Sequence, residues 1–272
     1  MTTVGFLHPG QMGASIAADA TGSRLWCPDG RSQQTKDRAA TAGLEACGSL
    51  AELVERSQMI VSVCPPSEAI SVAEAVADHR FDGIYVDANA IAPSTARQIS
   101  ELFDRFVDGG IIGPPVHQSG STRMYLCGGE AETVAQLWSG GNLDVRTMHG
   151  DVGAASAVKM CFATWTKVGA AMLLNVRALA QAEGVEATLL EEWDISFAGL
   201  AERSEKNAQG VAPKAWRFVG EMEQIGVSYR DAGLHDGFAQ GAAHLYHQLA
   251  GFKNADGVSL DEVLDHLVNQ DR

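Results

Sequence analysis

Glycines close to the N-terminus have the spacing of a turn that binds phosphate. The segment from Gly5 to Gly13 reads GFLHPGQMG and joins an apolar run to an alanine-rich run. The dinucleotide-binding pattern is G-x-G-x-x-G at a strand-to-helix turn, and its three slots fall here on His8, Gly10 and Gly13. Glycine at the second slot lets the backbone approach a pyrophosphate, and glycine at the third lets the helix pack closely on the strand. Six residues are therefore the predicted cofactor contacts: His8, Pro9, Gly10, Gln11, Met12 and Gly13.

The first slot of this pattern holds histidine instead of glycine. His8 is either a tolerated substitute or a group that lies beside the pyrophosphate or the nicotinamide. A plain strand-to-helix turn, with glycines for geometry only, is the alternative to a cofactor site.

A second loop carries groups that could recognise the ribose of a dinucleotide. It reads Pro28-Asp29-Gly30-Arg31-Ser32, and Arg31 follows His8 by 23 residues, close to the usual spacing of about 20. An acidic residue here would bind the ribose hydroxyl of NAD, whereas arginine beside a hydroxyl suits the 2′-phosphate of NADP. We predict NADP, bound through Arg31 and Ser32. NAD bound through Asp29, or an ordinary solvated arginine, is the alternative.

The elements that must position these residues alternate between strand-like and helix-like runs. Such alternation predicts parallel strands with helical crossovers. Three later strand-like runs, Phe106–Ile112, Arg123–Cys127 and Asp144–Thr147, extend the sheet. After Gly150 the strands stop, and residues 151–183 predict one helix of about 50 Å. The predicted fold class is α/β: a Rossmann-type doubly wound domain over residues 1–150, then an all-α domain over residues 151–272.

Composition excludes several classes of partner. The net charge is −14 and 46% of the residues are hydrophobic, without the clustered basic residues that nucleic acids or anionic membranes require. No signal-peptide pattern is present, and the five cysteines form no CxxC pair. We therefore expect a cytoplasmic protein with reduced thiols that acts on a small molecule, without nucleic-acid, membrane or metal binding.

Four segments, in order, resemble motifs of the β-hydroxyacid dehydrogenase / 6-phosphogluconate dehydrogenase superfamily. They are residues 5–13, 86–93, 108–129 and 150–159. The resemblance has departures, because asparagine (Asn89) stands where serine is usual, and Ile112 and Pro114 replace a serine and a glycine. Ala163 stands where the family has an asparagine four residues after its lysine. The C-terminal half resembles a less-characterised branch of the superfamily with its own helical domain.

This resemblance implies an NAD(P)-dependent oxidoreductase. The reaction would transfer hydride between nicotinamide and a small carbonyl or hydroxy substrate of the 3-hydroxyacid kind, with Lys159 as general acid/base. Pro65 and Asn89 would assist cofactor binding, and Gly113, Pro114 and His117 would form the substrate loop. An imine reductase is one alternative, favoured by Ala163 and the altered loop, although the retained Lys159 counts against it. A dinucleotide-sensing protein without turnover is another.

Apolar side chains are distributed around the long predicted helix. They include Phe162, Trp165, Met172 and Leu174, and a helix with this pattern must be covered on most sides. The remaining chain is short for this task, so we predict a homodimer built through the C-terminal domain.

Overall fold

The computed structural model describes residues 2–269. They form two compact units, which divide between Met160 and Cys161. The division lies ten residues after the predicted boundary at 150. The first turns of the long helix belong to the N-terminal unit, because they are bonded to a strand of its sheet.

The N-terminal unit is built on one eight-stranded sheet with the order β3-β2-β1-β4-β5-β6-β7-β8. Its strands are β1 (Thr3–Leu7), β2 (Ser23–Trp26), β3 (Glu45–Ala46), β4 (Met59–Ser62), β5 (Ile84–Asp87), β6 (Phe106–Ile112), β7 (Arg123–Cys127) and β8 (Asp144–Thr147). Its helices are α1 (Gln11–Asp19), α2 (Gln33–Thr41), α3 (Leu50–Arg56), α4 (Ala69–Ala77), α5 (Pro93–Ser100) and α6 (Ala131–Ala135), and it includes α7 (Ala154–Ala163) as far as Met160. Strands β1 to β6 run parallel to one another. The predicted Rossmann-type fold is confirmed.

The far edge of the sheet departs from the all-parallel arrangement. Strand β7 runs antiparallel to β6, and β8 runs parallel to β7. Residues 113–122 join β6 to β7 without a helix, and a connection this short does not reach back for a parallel pairing. Helix α6 provides the crossover that brings β8 parallel to β7.

Both faces of the sheet are covered by apolar side chains. Val4, Phe6 and Val61 lie in the core on one face, whereas Leu25 and Ile60 lie in the core on the other. Strands β4, β5 and β6 are buried at every position. Near-continuous apolar strands are typical of a sheet that carries helices on both faces.

The C-terminal unit is helical, as predicted. Its helices are α8 (Gly169–Ala182), α9 (Glu186–Ser196), α10 (Leu200–Val211), α11 (Ala215–Asp231), α12 (Gly237–Gln248) and α13 (Leu260–Val268). Helix α11 packs on α12, and α8 packs on α10 and α13. The buried face of α10 consists of the small residues Ser204 and Ala208, so this helix has no stripe of large apolar side chains that a sequence pattern could detect.

The long helix predicted over residues 151–183 begins later and is interrupted. It starts at Ala154, and a π-helical turn, Thr164–Val168, separates α7 from α8. Within the described chain, the stretch Ala154–Ala182 alone is long and apolar enough to cross a membrane by length and composition. That stretch also carries Lys159, Lys167 and Arg177, and 28% of its most apolar window is buried in the structure.

Candidate active site

The predicted site residues of the N-terminal unit follow the carboxyl ends of its parallel strands. His8 follows β1, Pro65 and Asn89 follow β4 and β5, and Gly113 follows β6. Parallel strands present these ends at one edge of the sheet. Chain order reverses between β1 and β4, where Leu7 pairs with Ser62. In doubly wound sheets, ligands bind outside the strand ends at such a reversal.

The turn after β1 has the form of a phosphate-binding turn. Gly10 is the N-cap of α1, and among residues 2–269 no side chain caps this helix. A Cβ at Gly10 would meet only the carbonyl oxygen of His8, at 3.9 Å, so the space beside its backbone is open. A Cβ at Gly13 would lie 3.1 Å from that same oxygen, so the helix and strand are in close contact there. Open space in front of an uncapped helix N-terminus fits a pyrophosphate.

The other residues of this turn differ in what they expose. Gln11 is exposed, Pro9 is buried, and Met12 packs against the apolar core. The hydroxyl of Ser15 donates to the carbonyl oxygen of Met12 at 2.9 Å. Gln11 therefore presents its side chain, whereas Pro9 and Met12 shape the turn.

Arg31 lies beside the phosphate-binding turn. Its guanidinium contacts Nε2 of His8. Burial, together with the positive charge of Arg31, lowers the pKa of His8 to about 4. The imidazole is therefore neutral near pH 7, and Nε2 accepts a hydrogen bond from the guanidinium. The two loops predicted to bind the cofactor thus meet through these side chains.

Ser32 fixes the start of the helix that follows Arg31. Its hydroxyl accepts from the backbone amide of Thr35 at 3.3 Å and caps α2. Asp29, Arg31 and Ser32 are all exposed. The side chains of Asp29, which could bind a ribose hydroxyl, and of Arg31, which could bind a 2′-phosphate, are therefore both accessible. Of the two, Arg31 is the one held against the phosphate-binding turn.

Asn89 braces two strand ends. Its Oδ1 accepts from the amide of Cys64 at 2.6 Å, and its Nδ2 donates to Asp87 at 2.7 Å and to Ser62 at 3.2 Å. Burial raises the pKa of Asp87 to about 7, although its hydrogen bonds with Asn89 oppose that change. Because its Nδ2 donates to a residue of β4 and to a residue of β5, the Asn89 side chain fixes the loops that follow these two strands. Pro65 lies exposed on the loop that Asn89 fixes.

Lys159 lies on α7, whose first turn is held by a buried carboxylate. Asp108, in β6, accepts from the amides of Gly153 and Ser156, both at 3.0 Å, and from the Ser156 hydroxyl at 2.5 Å. Gly110 lets the helix lie on the strand, since a Cβ there would be 2.5 Å from the carbonyl oxygen of Ala155. The same Cβ would lie 3.2 Å from Cβ of Lys159. Lys159 is thereby positioned over the carboxyl-terminal half of β6.

Sequence reasoning did not identify the role of Asp108. The available signal was a charged residue inside an otherwise apolar run, FVDGGII, at the start of the third family motif. A charge is buried in a strand only when it is paired or hydrogen-bonded. That rule predicts a partner for Asp108, but it does not say which helix supplies it.

The predicted substrate loop is tied to its own strand and to α1. Gly113 has φ +129°, and a Cβ there would lie 2.5 Å from the carbonyl oxygen of Ser121. The amide of Val116 donates to the Ser15 hydroxyl at 3.0 Å. Gly113, Pro114 and His117 are exposed. The loop therefore offers its polar groups to solvent from a fixed base.

Lys167, eight residues after Lys159 in the sequence, has partners within the C-terminal unit. Its ammonium pairs with Glu221 and lies 4.7 Å from the centre of the Phe218 ring. The Tyr246 hydroxyl donates to the carbonyl oxygen of Lys167 at 2.5 Å. The positive charge of Lys167 is therefore compensated locally. Within residues 2–269, no group of three histidine, cysteine, aspartate or glutamate side chains could hold a metal ion.

Relatives match part of the chain. Residues 180–249 match the family described as Domain of unknown function DUF1932. An uncharacterized 28.5 kDa protein of Methanothermus fervidus is 31% identical over 167 residues, which cover 61% of this chain and 64% of that protein. A probable 3-hydroxyisobutyrate dehydrogenase of Mycobacterium tuberculosis is 25% identical over 182 residues, 59% of this chain and 58% of that protein. The chain thus spans less than two thirds of the length of these curated relatives.

Solved structures match nearly the whole chain. The conserved protein MTH1747, of unknown function and described as structurally similar to 3-hydroxyacid dehydrogenases, has a TM-score of 0.70 and 26% identity, covering 92% of this chain and 97% of that one. The 3-hydroxyisobutyrate dehydrogenase of Mycobacterium tuberculosis, solved with L-serine, has a TM-score of 0.72 and 19% identity, covering 98% and 99%. An imine reductase of Streptomyces aurantiacus has a TM-score of 0.53 and 18% identity over the same shares.

The fold is that of the 3-hydroxyacid dehydrogenase-like proteins, with a Rossmann N-terminal domain and a helical C-terminal domain. The predicted resemblance to the β-hydroxyacid dehydrogenase superfamily is confirmed. The match to DUF1932, over residues 180–249, lies within the helical C-terminal unit.

Proposed function

We propose that this protein is an NAD(P)-dependent oxidoreductase that prefers NADP and acts on a small carbonyl or hydroxy substrate of the 3-hydroxyacid kind. The observation that carries the proposal is the uncapped, open turn of Gly10 and Gly13 at the reversal of strand order. Two of its structural neighbours are a 3-hydroxyisobutyrate dehydrogenase and an imine reductase, which supports the same class of reaction.

A nicotinamide cofactor, when bound, supplies or accepts a hydride. The turn from His8 to Gly13 would hold its pyrophosphate against the start of α1. Arg31 and Ser32 would hold the 2′-phosphate of NADP, since a guanidinium and a hydroxyl both donate to phosphate oxygens. Pro65 and Asn89 would set the wall of the site at the ends of β4 and β5.

Lys159 is proposed as the proton carrier. Its ammonium would donate a proton to the carbonyl oxygen during reduction, and its neutral amine would take a proton from the hydroxyl during oxidation. Gly113, Pro114 and His117 would contact the substrate. The loop lacks the serine and second glycine of the family pattern, which favours a bulkier or less anionic substrate.

The catalytic role of Lys159 is tested by substitution. Lys159→Ala should lower turnover by about 10²- to 10⁴-fold, the usual contribution of a positioned acid, and leave cofactor affinity nearly unchanged. Lys159→Arg should not restore turnover, because arginine does not release its proton near neutral pH. Lys206→Ala, which removes an exposed lysine of α10, is the control. Turnover of Lys159→Ala within about threefold of the wild type, far short of that loss, would assign the proton to another group.

An imine reductase is the second candidate. The Ile112-Gly113-Pro114 sequence and Ala163 favour it, because both depart from the hydroxyacid dehydrogenase pattern. A panel of 3-hydroxy acids, aldehydes and cyclic imines, each assayed with NADPH or NADP, separates the two. Turnover confined to imines would select the reductase. Tight cofactor binding without turnover on any compound would select a dinucleotide sensor.

We also propose a homodimer built through the C-terminal unit. Phe162, Trp165, Met172, Val176 and Leu179 are 44%, 70%, 59%, 38% and 63% exposed. Met172, Val176 and Leu179 lie four and three residues apart in α8, which places them along one face of that helix. Large apolar side chains exposed along one helix face often mark an interaction surface. A second copy of the chain would cover it, in a cytoplasmic enzyme of net charge −14 that binds no nucleic acid or membrane.

Light scattering tests the homodimer. The wild type should have twice the chain mass of 28.8 kDa, and a double Trp165→Glu, Leu179→Glu variant should have the mass of one chain. Leu102→Glu, at an apolar position of the other unit that is 39% exposed, is the control. A wild-type mass near 28.8 kDa at micromolar concentration would reject the homodimer.

A further inference from the structure

We propose that His8 is a positioning residue for cofactor specificity, because it holds the Arg31 guanidinium at the phosphate-binding turn for the 2′-phosphate of a dinucleotide. This inference rests on the proposed function, since it concerns the same cofactor site. It gives the histidine in the first glycine slot a role that a glycine could not have.

The backbone of His8 shows what the slot requires. Its φ is +60°, in the left-handed region that glycine adopts freely and that histidine enters more readily than most residues. Its carbonyl oxygen accepts from the amide of Gly10 at 2.6 Å, which closes the turn. The slot therefore requires a left-handed backbone, and it leaves room for a side chain.

The side chain of His8 uses that room to reach Arg31. A guanidinium has only donors, so Nε2 of His8 must be the acceptor of the contact between them. The pKa of His8, about 4, keeps the imidazole neutral under physiological conditions. His8 therefore anchors Arg31 without cancelling its positive charge, unlike a carboxylate partner.

The backbone of the loop around Arg31 is also fixed. The Arg31 side chain is therefore the part of the loop whose position depends on His8. The amide of Arg31 donates to the carbonyl oxygen of Pro28 at 3.1 Å, and Gly30 adopts φ +68°. Ser32 caps α2. Arginine carries five N–H donors, so donors remain for a phosphate after one is used on His8. A side chain that is already ordered loses less freedom when the ligand binds.

The experiment measures cofactor binding and needs no substrate. Dissociation constants for NADPH, NADH, 2′,5′-ADP and 5′-AMP are obtained by calorimetry for the wild type, His8→Gly, His8→Asn, Arg31→Ala and the His8→Gly, Arg31→Ala double variant. His79→Ala, which removes an exposed histidine after α4, is the control. The fragments 2′,5′-ADP and 5′-AMP differ by the phosphate that Arg31 is proposed to bind.

We expect His8→Gly to weaken NADPH and 2′,5′-ADP by about 5- to 20-fold, part of the roughly 10- to 100-fold that the full charged contact contributes. NADH and 5′-AMP should change by less than about twofold, because the glycine keeps the turn. Asparagine tolerates the left-handed backbone and offers an acceptor oxygen, so His8→Asn should recover part of the preference. The double variant should be no weaker than Arg31→Ala, since both substitutions remove one contact.

Three results would overturn the inference. An equal loss of affinity for NADPH and NADH in His8→Gly would indicate that the His8–Arg31 pair acts on the pyrophosphate, which both cofactors carry. An unchanged NADPH preference in both His8 variants would leave His8 without a positioning role. In both cases dinucleotide binding, and with it the proposed function, would stand. A wild type that binds neither dinucleotide would overturn the proposed function and this inference together.

Discussion

At Gly110, a single added methyl group should displace helix α7 and leave cofactor binding unchanged. It lies in β6, directly under α7. In Gly110→Ala the new Cβ would lie 2.5 Å from the carbonyl oxygen of Ala155 and 3.2 Å from Cβ of Lys159. The first contact involves backbone, so a side-chain rotation cannot relieve it. Helix α7 must therefore move away from the strand, and Lys159 moves with it.

Two opposing effects set the size of the change in stability. Replacing glycine by alanine reduces the entropy of the unfolded chain and stabilises by about 0.4–1 kcal/mol where the backbone allows it. Overpacking of a closely packed contact costs about 1–3 kcal/mol. The second effect is larger, so we expect a net loss of about 1–2 kcal/mol. A displacement of about 1 Å at a catalytic group can lower turnover by about 10²-fold. We therefore expect a loss of about that size in Gly110→Ala, because Lys159 moves with α7.

Cofactor affinity should be preserved in Gly110→Ala. Strand β6 is separated from β1 by three strand spacings, about 14 Å, and the phosphate-binding turn follows β1. Urea unfolding, steady-state turnover and NADPH titration would be measured side by side. Gly129→Ala is the matched control, because a Cβ at Gly129 meets nothing within 4 Å.

Each measurement on Gly110→Ala refutes a different step. Unchanged unfolding free energy would show that α7 does not lie on β6 as described. A loss of stability with unchanged turnover would show that the position of Lys159 does not matter to the reaction. Loss of NADPH binding would show that the turn and the helix are not independent.

Three further predictions concern buried polar groups. Asp108→Asn should lower the unfolding free energy in urea by about 1–3 kcal/mol, because the hydrogen bonds that hold the start of α7 are charge-assisted. Asn89→Ala should cost a similar amount, and the loop at Cys64 should exchange its amide hydrogens faster. Burial raises the pKa of Asp87 from an ordinary 3.8 to about 7, so the folded protein holds a proton that the unfolded chain releases between these values. The Asp87 contribution to stability should therefore be present below about pH 4 and decline as the pH rises to about 7, and urea unfolding of Asp87→Asn across that range should lack this decline.

Local sequence pattern was sufficient for most of the sheet. Strands β6, β7 and β8 have the predicted bounds, because each is an apolar or β-branched run between turn residues. The direction of β7 depended on the length of the connection before it. Helix α10 and the π-helical turn could not be read from the pattern. Helix α10 buries only small side chains, and the π-helical turn interrupts a continuous apolar run. The position of each is therefore set by packing against other helices.

The candidate site was predictable as a set of strand ends, but its internal contacts were not. The glycine turn and the loop of Arg31 each had a local signature. Their contact through His8 joins residues that are 23 positions apart and depends on the paths of two loops. The anchor of α7 at Asp108 likewise joins residues 45 and 48 positions apart. Such pairings are set by tertiary structure.

The left-handed backbone of His8 bears on how dinucleotide-binding chains are recognised. A search that demands glycine at the first slot tests for one amino acid. The turn itself requires only that the residue at this slot adopt a positive φ. Asparagine, aspartate and histidine also enter that region several-fold more often than other residues. A pattern that admits these residues at the first slot, and keeps glycine at the second and third, would retrieve chains such as this one. Those chains would then differ in what the first side chain reaches, and the slot becomes a place where specificity can vary among proteins with one fold.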